Sequence, residues 1–235
     1  MPAAGSPRED VTVTVLLIVI GCWVVLWLVL AALHAGMRGL TFRQSFFHLP
    51  VKLAYRVRDG SSANIRGEPP VIYAILHQSR LDPALMLALL PSDTLHILDE
   101  ASAKSAWLEP WRAMARTIAF NARHVFVSRR LVRVLKGNGR LAVYFPDGVQ
   151  PDSKGFRLYR AVARIALKAE ARIIAISVRG SRNTSLSLVD APRKMLPRLA
   201  VNILPALTMT ELVSLSGQPA SSTALWSRVL EADAA

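Results

Sequence analysis

Residues Val71-Ile72-Tyr73-Ala74-Ile75-Leu76 form an unbroken apolar run that stops at His77, and Asp82-Pro83 follows five positions later. A short apolar run without alternation, β-branched towards both ends, reads as a strand buried on both faces. Asp before Pro is a common way to write a helix start, with Asp at the N-cap and Pro at the first helical position. An apolar helix over Ala84–Leu90 follows and ends at Pro91. A doubly buried strand feeding a helix commits this part of the chain to an α/β architecture. His77 then sits at the carboxyl end of a strand, where such sheets bind ligands. Asp82 can fold back beside it, and a carboxylate there fixes the imidazole tautomer and stabilises the imidazolium, as a general base requires. Taken alone, such residues are more often a hydrogen-bonded core or turn histidine and a plain N-cap than a catalytic pair.

The remainder alternates in the same way. Val51–Val57 reads as a first strand, with a turn at Asp59-Gly60-Ser61-Ser62. Thr94–Leu98 is a further strand, followed by helical sequence over 103–108 that Pro110 interrupts and 111–119 continues. Trp107 and Trp111 share one helical face, a pattern that favours core packing over contact with an acyl chain. His124–Val127 is a short strand entering the basic turn Ser128-Arg129-Arg130, and Arg140–Phe145 a strand entering Pro146-Asp147-Gly148. Between Arg157 and Lys168 apolar residues recur at helical spacing, with Arg157, Arg160, Arg164 and Lys168 on the other side as a solvated or membrane-facing surface. Ile173–Val178 and Leu199–Leu204 are strands, and Ala224–Leu230 a terminal helix. The expectation is a largely parallel sheet flanked by helices, with a domain over 51–215 and a C-terminal tail over 216–235 carrying that short helix.

Before the domain, a polar tail (1–10) leads into 23 residues, Val11–Leu33, without a charge. At about 1.5 Å per residue they reach across a hydrocarbon core of roughly 30 Å. The run is too long for a signal peptide, no positive excess precedes it and no small-x-small cleavage site follows, so it reads as one uncleaved transmembrane anchor. Arg38, Arg43, Lys52, Arg56 and Arg58 follow it, which by the positive-inside rule places the domain in the cytoplasm, at the inner membrane in a bacterium. Residues 34–50 interleave Phe42, Phe46, Phe47 and Leu49 with Arg38 and Arg43; they read either as a linker lying in the headgroup layer or as one packed on the domain. His48 reads as an interfacial polar residue.

With 29 Lys+Arg against 16 Asp+Glu the chain carries a net charge of +13 and will seek an anionic partner. Nucleic acid would account for the charge but for neither the anchor nor the two strand-end motifs, and the cations within the domain show no aromatic interleaving. The one cysteine, Cys22, excludes intrachain disulfides and Cys-based metal sites, and the histidines have no partner at ligand spacing, so no metal is expected.

His77-Gln78-Ser79-Arg80-Leu81-Asp82 resembles the H-x4-D motif of the glycerolipid acyltransferase family, which includes 1-acylglycerol-3-phosphate and lysophospholipid acyltransferases. Phe145-Pro146-Asp147-Gly148 resembles that family's Phe-Pro-Glu-Gly motif in the expected order. Val125-Phe126-Val127-Ser128-Arg129 is similar to its strand ending in an arginine that contacts the acceptor phosphate, and Ile173-Ile174-Ala175-Ile176 stands where the family has Val-Pro-Val. The surroundings of Trp107-Leu108-Glu109-Pro110 and Leu158-Tyr159-Arg160 look closest to the 2-acylglycerophosphoethanolamine acyltransferase branch. The resemblance spans about Val51 to Leu204. It implies transfer of an acyl chain from acyl-CoA or acyl-carrier protein to a lysophospholipid hydroxyl, without a covalent enzyme intermediate or a cofactor. His77 would be the general base and Asp82 its partner. Arg129, Arg130, Lys154, Arg157 and Arg160 are candidates for the anionic groups, beside Phe145, Pro146, Asp147 and a Gly148 that lets the backbone approach.

The sequence departs from the pattern at Asp147 in place of Glu, at Val149-Gln150 in place of Thr-Arg, and at Arg123, Ala161 and Ala175. These departures support the rival expectation, a catalytically inactive lipid-binding scaffold on the same fold. A His/Asp hydrolase is disfavoured because no nucleophile stands in a Gly-x-Ser-x-Gly turn.

Overall fold

The structure, a computed structural model, describes residues 7–59, 65, 67–98, 100–119, 125–150, 153, 156–217 and 220–235. In chain order the elements are α1 (Pro7–Arg38), α2 (Phe42–Ala54), β1 (Arg58–Asp59), β2 (Val71–His77), α3 (Leu81–Leu89) and β3 (Leu95–Leu98). Short helical turns over 100–112 lead to β4 (Arg116–Ala119), α4 (Val125–Lys136), β5 (Arg140–Pro146), α5 (Arg157–Ala169) and β6 (Arg172–Arg179). The chain finishes with β7 (Ala200–Ile203), β8 (Leu207–Thr208), α6 (Met209–Ser216) and α7 (Ser221–Ala234). Among the described residues the strands form one sheet in the order β1-β7-β6-β2-β5-β3-β4, with β8 also on β6. It is parallel except where β7 and β8 run against β6.

β2 lies at the centre, so both of its faces are covered, which is why its sequence shows no alternation. Ile72, Ala74 and Leu76 pack with Val143, Phe145 and the apolar sides of α4, α5, α6 and α7. Val71, Tyr73 and Ile75 pack on the other face with Tyr144, Ile174, Ile176 and α3. By the same two-residue period His77 projects onto the α3 face.

α1 is long and apolar enough to cross a membrane, and between Val11 and Leu30 nearly every side chain is exposed around its whole circumference. Only its last turns are covered, at Ala31 and Ala35, where α2 packs. A capping box between Thr41 and Gln44 starts α2, and Gln44 Nε2 donates at 2.8 Å to the carbonyl of Leu90, the residue that caps the end of α3.

Several sequence expectations are corrected. Val51–Val57 is not a strand: α2 continues through Pro50 to Ala54 and only Arg58–Asp59 pairs, with β7. Leu53, in the middle of the expected strand, is exposed. His48 is buried against His34 rather than interfacial. Residues 111–119 do not continue a helix; it ends at Arg112, and Arg116–Ala119 pairs with β3 instead, tertiary pairing overriding helix propensity. Val125–Val127 is not a strand but the first turn of α4. Leu131 and Leu135, one helical turn apart, are buried while Arg129, Arg130, Arg133 and Lys136 are exposed. A crossover helix is what returns the chain between parallel strands. His124 and Lys154 lie outside the described residues. The helix foreseen over 224–230 runs from Ser221 to Ala234 and packs against α5, α6 and β6.

Candidate active site

The turn after β2 is built by Asp82. Its Oδ2 accepts the backbone N–H groups of Gln78 and Ser79, both at 2.8 Å. Asp82 is therefore not the N-cap that Asp-Pro suggests: the helix begins at Leu81, and the carboxylate in its first turn reaches back over the turn before it. That posture brings Asp82 Oδ2 to 3.5 Å from His77 Nδ1, with Asp82 fully buried and the imidazole 10% exposed. The contact is an ion-pair distance, longer than a hydrogen bond, a separation common in sites that tighten around a substrate.

Beneath His77 lies a buried polar layer. The edge of its ring meets Tyr144, centroids 5.9 Å apart, and His96 Nδ1 is 2.9 Å from Tyr144 Oη. Complete burial lowers the His96 pKa to about 3, so this imidazole is neutral. Burial, and secondly the charge of Asp82, pushes the Tyr144 phenol well above its ordinary range. The layer is thus polar but uncharged, and Asp82 supplies the charge facing His77.

The second strand-end motif comes alongside through sheet register, for His77 and Pro146 are partners in the parallel pair β2–β5. Phe145 is buried and stacks on Tyr159, centroids 4.1 Å apart. Asp147 Oδ1 accepts the Gly148 N–H at 2.9 Å, while its Oδ2 accepts Gln78 Nε2 at 3.2 Å. Gly148 has φ +71° with open space around it, so glycine serves the turn itself.

His77 opens into a cavity of about 250 Å³ lined also by Arg80, Ser102, Ser105, Trp107 and Leu188. Trp107 thus joins cleft and core at once, meeting Trp111 edge-on at 5.5 Å. A larger hollow of about 330 Å³, between α2 and the end of α3, contains His48 and Arg140 but does not reach His77.

Not every expected residue converges. Arg129 and Arg130 stand exposed on α4, which packs on the sheet face opposite His77. Arg157 is exposed in the first turn of α5. Sequence reasoning passed over Arg80, inside the H-x4-D stretch itself, and over Gln78, Tyr144, Leu188 and Asp233. Only Gln78 and Arg80 carried a signal, their place between His77 and Asp82.

The family model described as Acyltransferase matches residues 56–179, which include both strand-end motifs. The chain belongs to the acyltransferase family. The fold of this acyltransferase is similar to the crystal structure of the 1-acyl-sn-glycerophosphate (LPA) acyltransferase PlsC from Thermotoga maritima. The TM-score is 0.52 at 17% identity, over 82% of this chain and 80% of that one. In this acyltransferase the matched region ends at Arg179, so the 180–199 segment and α7, both of which touch the motif turn, lie beyond it.

Proposed function

We propose that this acyltransferase moves a fatty acyl chain from a thioester, acyl-CoA or acyl-carrier protein, to the free hydroxyl of a lysophospholipid. The observation that carries this reading is the His77–Asp82 pair at 3.5 Å, set beside the Pro146–Gly148 turn and open to a cleft. Nδ1 faces the carboxylate, which leaves Nε2 to take the proton from the acceptor hydroxyl as its oxygen attacks the thioester carbonyl. Collapse of the tetrahedral adduct breaks the C–S bond, and the proton held by His77 goes to the departing thiolate. General-base assistance of this kind contributes roughly a hundred- to ten-thousand-fold.

Arg80, lining the cleft with His77, is the cation placed to meet an acceptor phosphate; Arg129, Arg130 and Arg157 serve anionic donor groups or lipid from further out. The similarity in fold to an LPA acyltransferase supports a 1-acylglycerol-3-phosphate acceptor, with lysophosphatidylethanolamine as the other candidate. α1 serves as the membrane anchor, because between Val11 and Leu30 its chiefly apolar side chains are nearly all exposed, a surface that a hydrocarbon core would cover. The basic residues after it support a cytoplasmic catalytic domain.

The test is thioester turnover by the full chain in detergent or native membranes, across a panel of lyso-acceptors, for wild type and His77→Ala. The expected outcome is acceptor-dependent release of free thiol that His77→Ala abolishes. Undiminished turnover in His77→Ala would remove the base from the mechanism, and lipid binding with no turnover on any acceptor would favour the scaffold.

A further inference from the structure

The strap between β6 and β7, residues 180–199, is irregular in secondary structure but tightly tied. Ser79 Oγ lies 2.8 Å from Thr184 Oγ1 and donates to the Leu186 carbonyl at 3.1 Å. Arg80 N donates to Leu186 O at 2.9 Å and Leu188 N to Gln78 O at 2.8 Å. Asn183 closes the loop on itself, its Nδ2 donating to Pro192 O at 2.9 Å and its carbonyl accepting Lys194 N at 2.7 Å. At its far end Leu199 N donates to Tyr55 O at 3.1 Å, joining the strap to the end of α2, the helix packed on α1.

What this strap shows to solvent is unusual for a surface so well pinned. Met195 is 85% exposed, Leu196 49% and Leu188 50%. Arg182, Arg193, Lys194 and Arg198 are exposed around them, opposed within the strap by Asp190 alone. Single exposed apolar residues mean little. Two adjacent ones bracketed by cations, on a loop rooted in the active-site turn, have the composition of a segment that dips into a bilayer surface: apolar side chains in the acyl boundary, cations among anionic headgroups. Rigidity helps, since little conformational entropy remains to be lost on insertion.

We propose that the 188–198 strap, whose Leu188 lines the His77 cleft, is a second membrane contact, with Met195 and Leu196 entering the surface of an anionic leaflet. The contact sets the cleft at headgroup depth, so that a lipid acceptor reaches His77 without leaving the bilayer. The proposal rests on the reading of the acceptor as a lipid and goes beyond the anchor at α1.

The full chain is placed in vesicles of phosphatidylcholine and phosphatidylglycerol with an environment-sensitive fluorophore on its only cysteine. Wild type labelled at Cys22 reports the anchor; Cys22→Ser/Met195→Cys reports the strap. The expected result is quenching at Cys22, the midpoint of the span, by lipids carrying a spin label near the end of the acyl chain, and quenching at position 195 by lipids carrying one near the headgroup, stronger at 195 when the vesicles are anionic. Quenching at Cys22 without quenching at 195 overturns the strap contact and leaves the anchor standing; quenching at neither overturns both. Shielding at 195 that appears only on adding acyl-carrier protein assigns the surface to the donor protein and also overturns the proposal. In activity, Met195→Asp/Leu196→Asp is expected to lower kcat/KM on vesicle-embedded acceptor roughly tenfold, while a short-chain monomeric acceptor stays within about twofold. An equal loss on both acceptors argues against it.

Discussion

Gln78 and Asp233 stand 155 positions apart in the chain and 3.1 Å apart in the fold, Gln78 Nε2 donating to Asp233 Oδ2. The same nitrogen donates to Asp147 at 3.2 Å, so one amide joins the H-x4-D turn, the Phe-Pro-Asp-Gly turn and the last helix. That helix is held in place by Ser177 Oγ donating to Ala232 O at 2.5 Å and Arg179 donating to Ala234 O at 3.0 Å. Asp233→Ala is expected to lower kcat/KM roughly fivefold, about 1 kcal/mol, chiefly through kcat, with little change in the unfolding midpoint. Steady-state kinetics beside a thermal melt check it; a loss wholly in the melt would make Asp233 only structural.

Asp82 serves the turn and the imidazole together, and two substitutions separate those duties. Asp82→Ala strips two buried N–H groups of their acceptor and is expected to cost roughly 3 kcal/mol of stability or more. Asp82→Asn keeps an acceptor oxygen but removes the charge facing His77, so it is expected to melt near wild type while losing roughly a hundredfold in turnover. Asn activity near that of wild type would show that the charge is not needed.

His96 makes stability depend on acidity. Its folded pKa is lowered to about 3 by burial, against an ordinary value of 6.5. The unfolded chain therefore binds the extra proton between those values, and the stabilisation is present above about pH 6.5 and lost progressively as pH falls towards 3. Unfolding midpoints measured from pH 7.5 to about pH 5 are expected to fall for wild type and to fall less for His96→Gln, whose amide can keep a bond to Tyr144.

Two glycines give a graded test of backbone strain. Gly180, at the root of the strap, has φ +88°, and an added Cβ would collide with the Arg198 carbonyl oxygen; Gly148 has φ +71° but open space. Gly180→Ala is expected to cost about 2 kcal/mol or more, and Gly148→Ala about 1 kcal/mol, read as differences in unfolding free energy.

Much of the site is legible in the sequence. The strand into His77, its Asp82 partner and the order of the two motifs follow from local patterns, and sheet register then makes His77 and Pro146 neighbours. The arginine at position 129 was misplaced, because Val125-Phe126-Val127 has strand composition when read alone. It became a helix because Leu131 and Leu135 extend a helical repeat and the parallel sheet needs a crossover there. Arg80 was overlooked for the opposite reason: nothing local distinguishes a cation that lines a cleft from one that faces water.

The sequence by itself determined what depends on neighbours along the chain. That covers a strand buried on both sides, a histidine and a carboxylate across one turn, and a helix with no polar face for water. Tertiary structure alone decided what closes over that turn, namely the strap tied to Ser79 and the Asp233 bond to Gln78. Both arrive from more than a hundred residues away. A hydrogen bond between distant segments leaves no period or spacing in a sequence, because the sheet and helix packing, not the local chain, brings donor to acceptor.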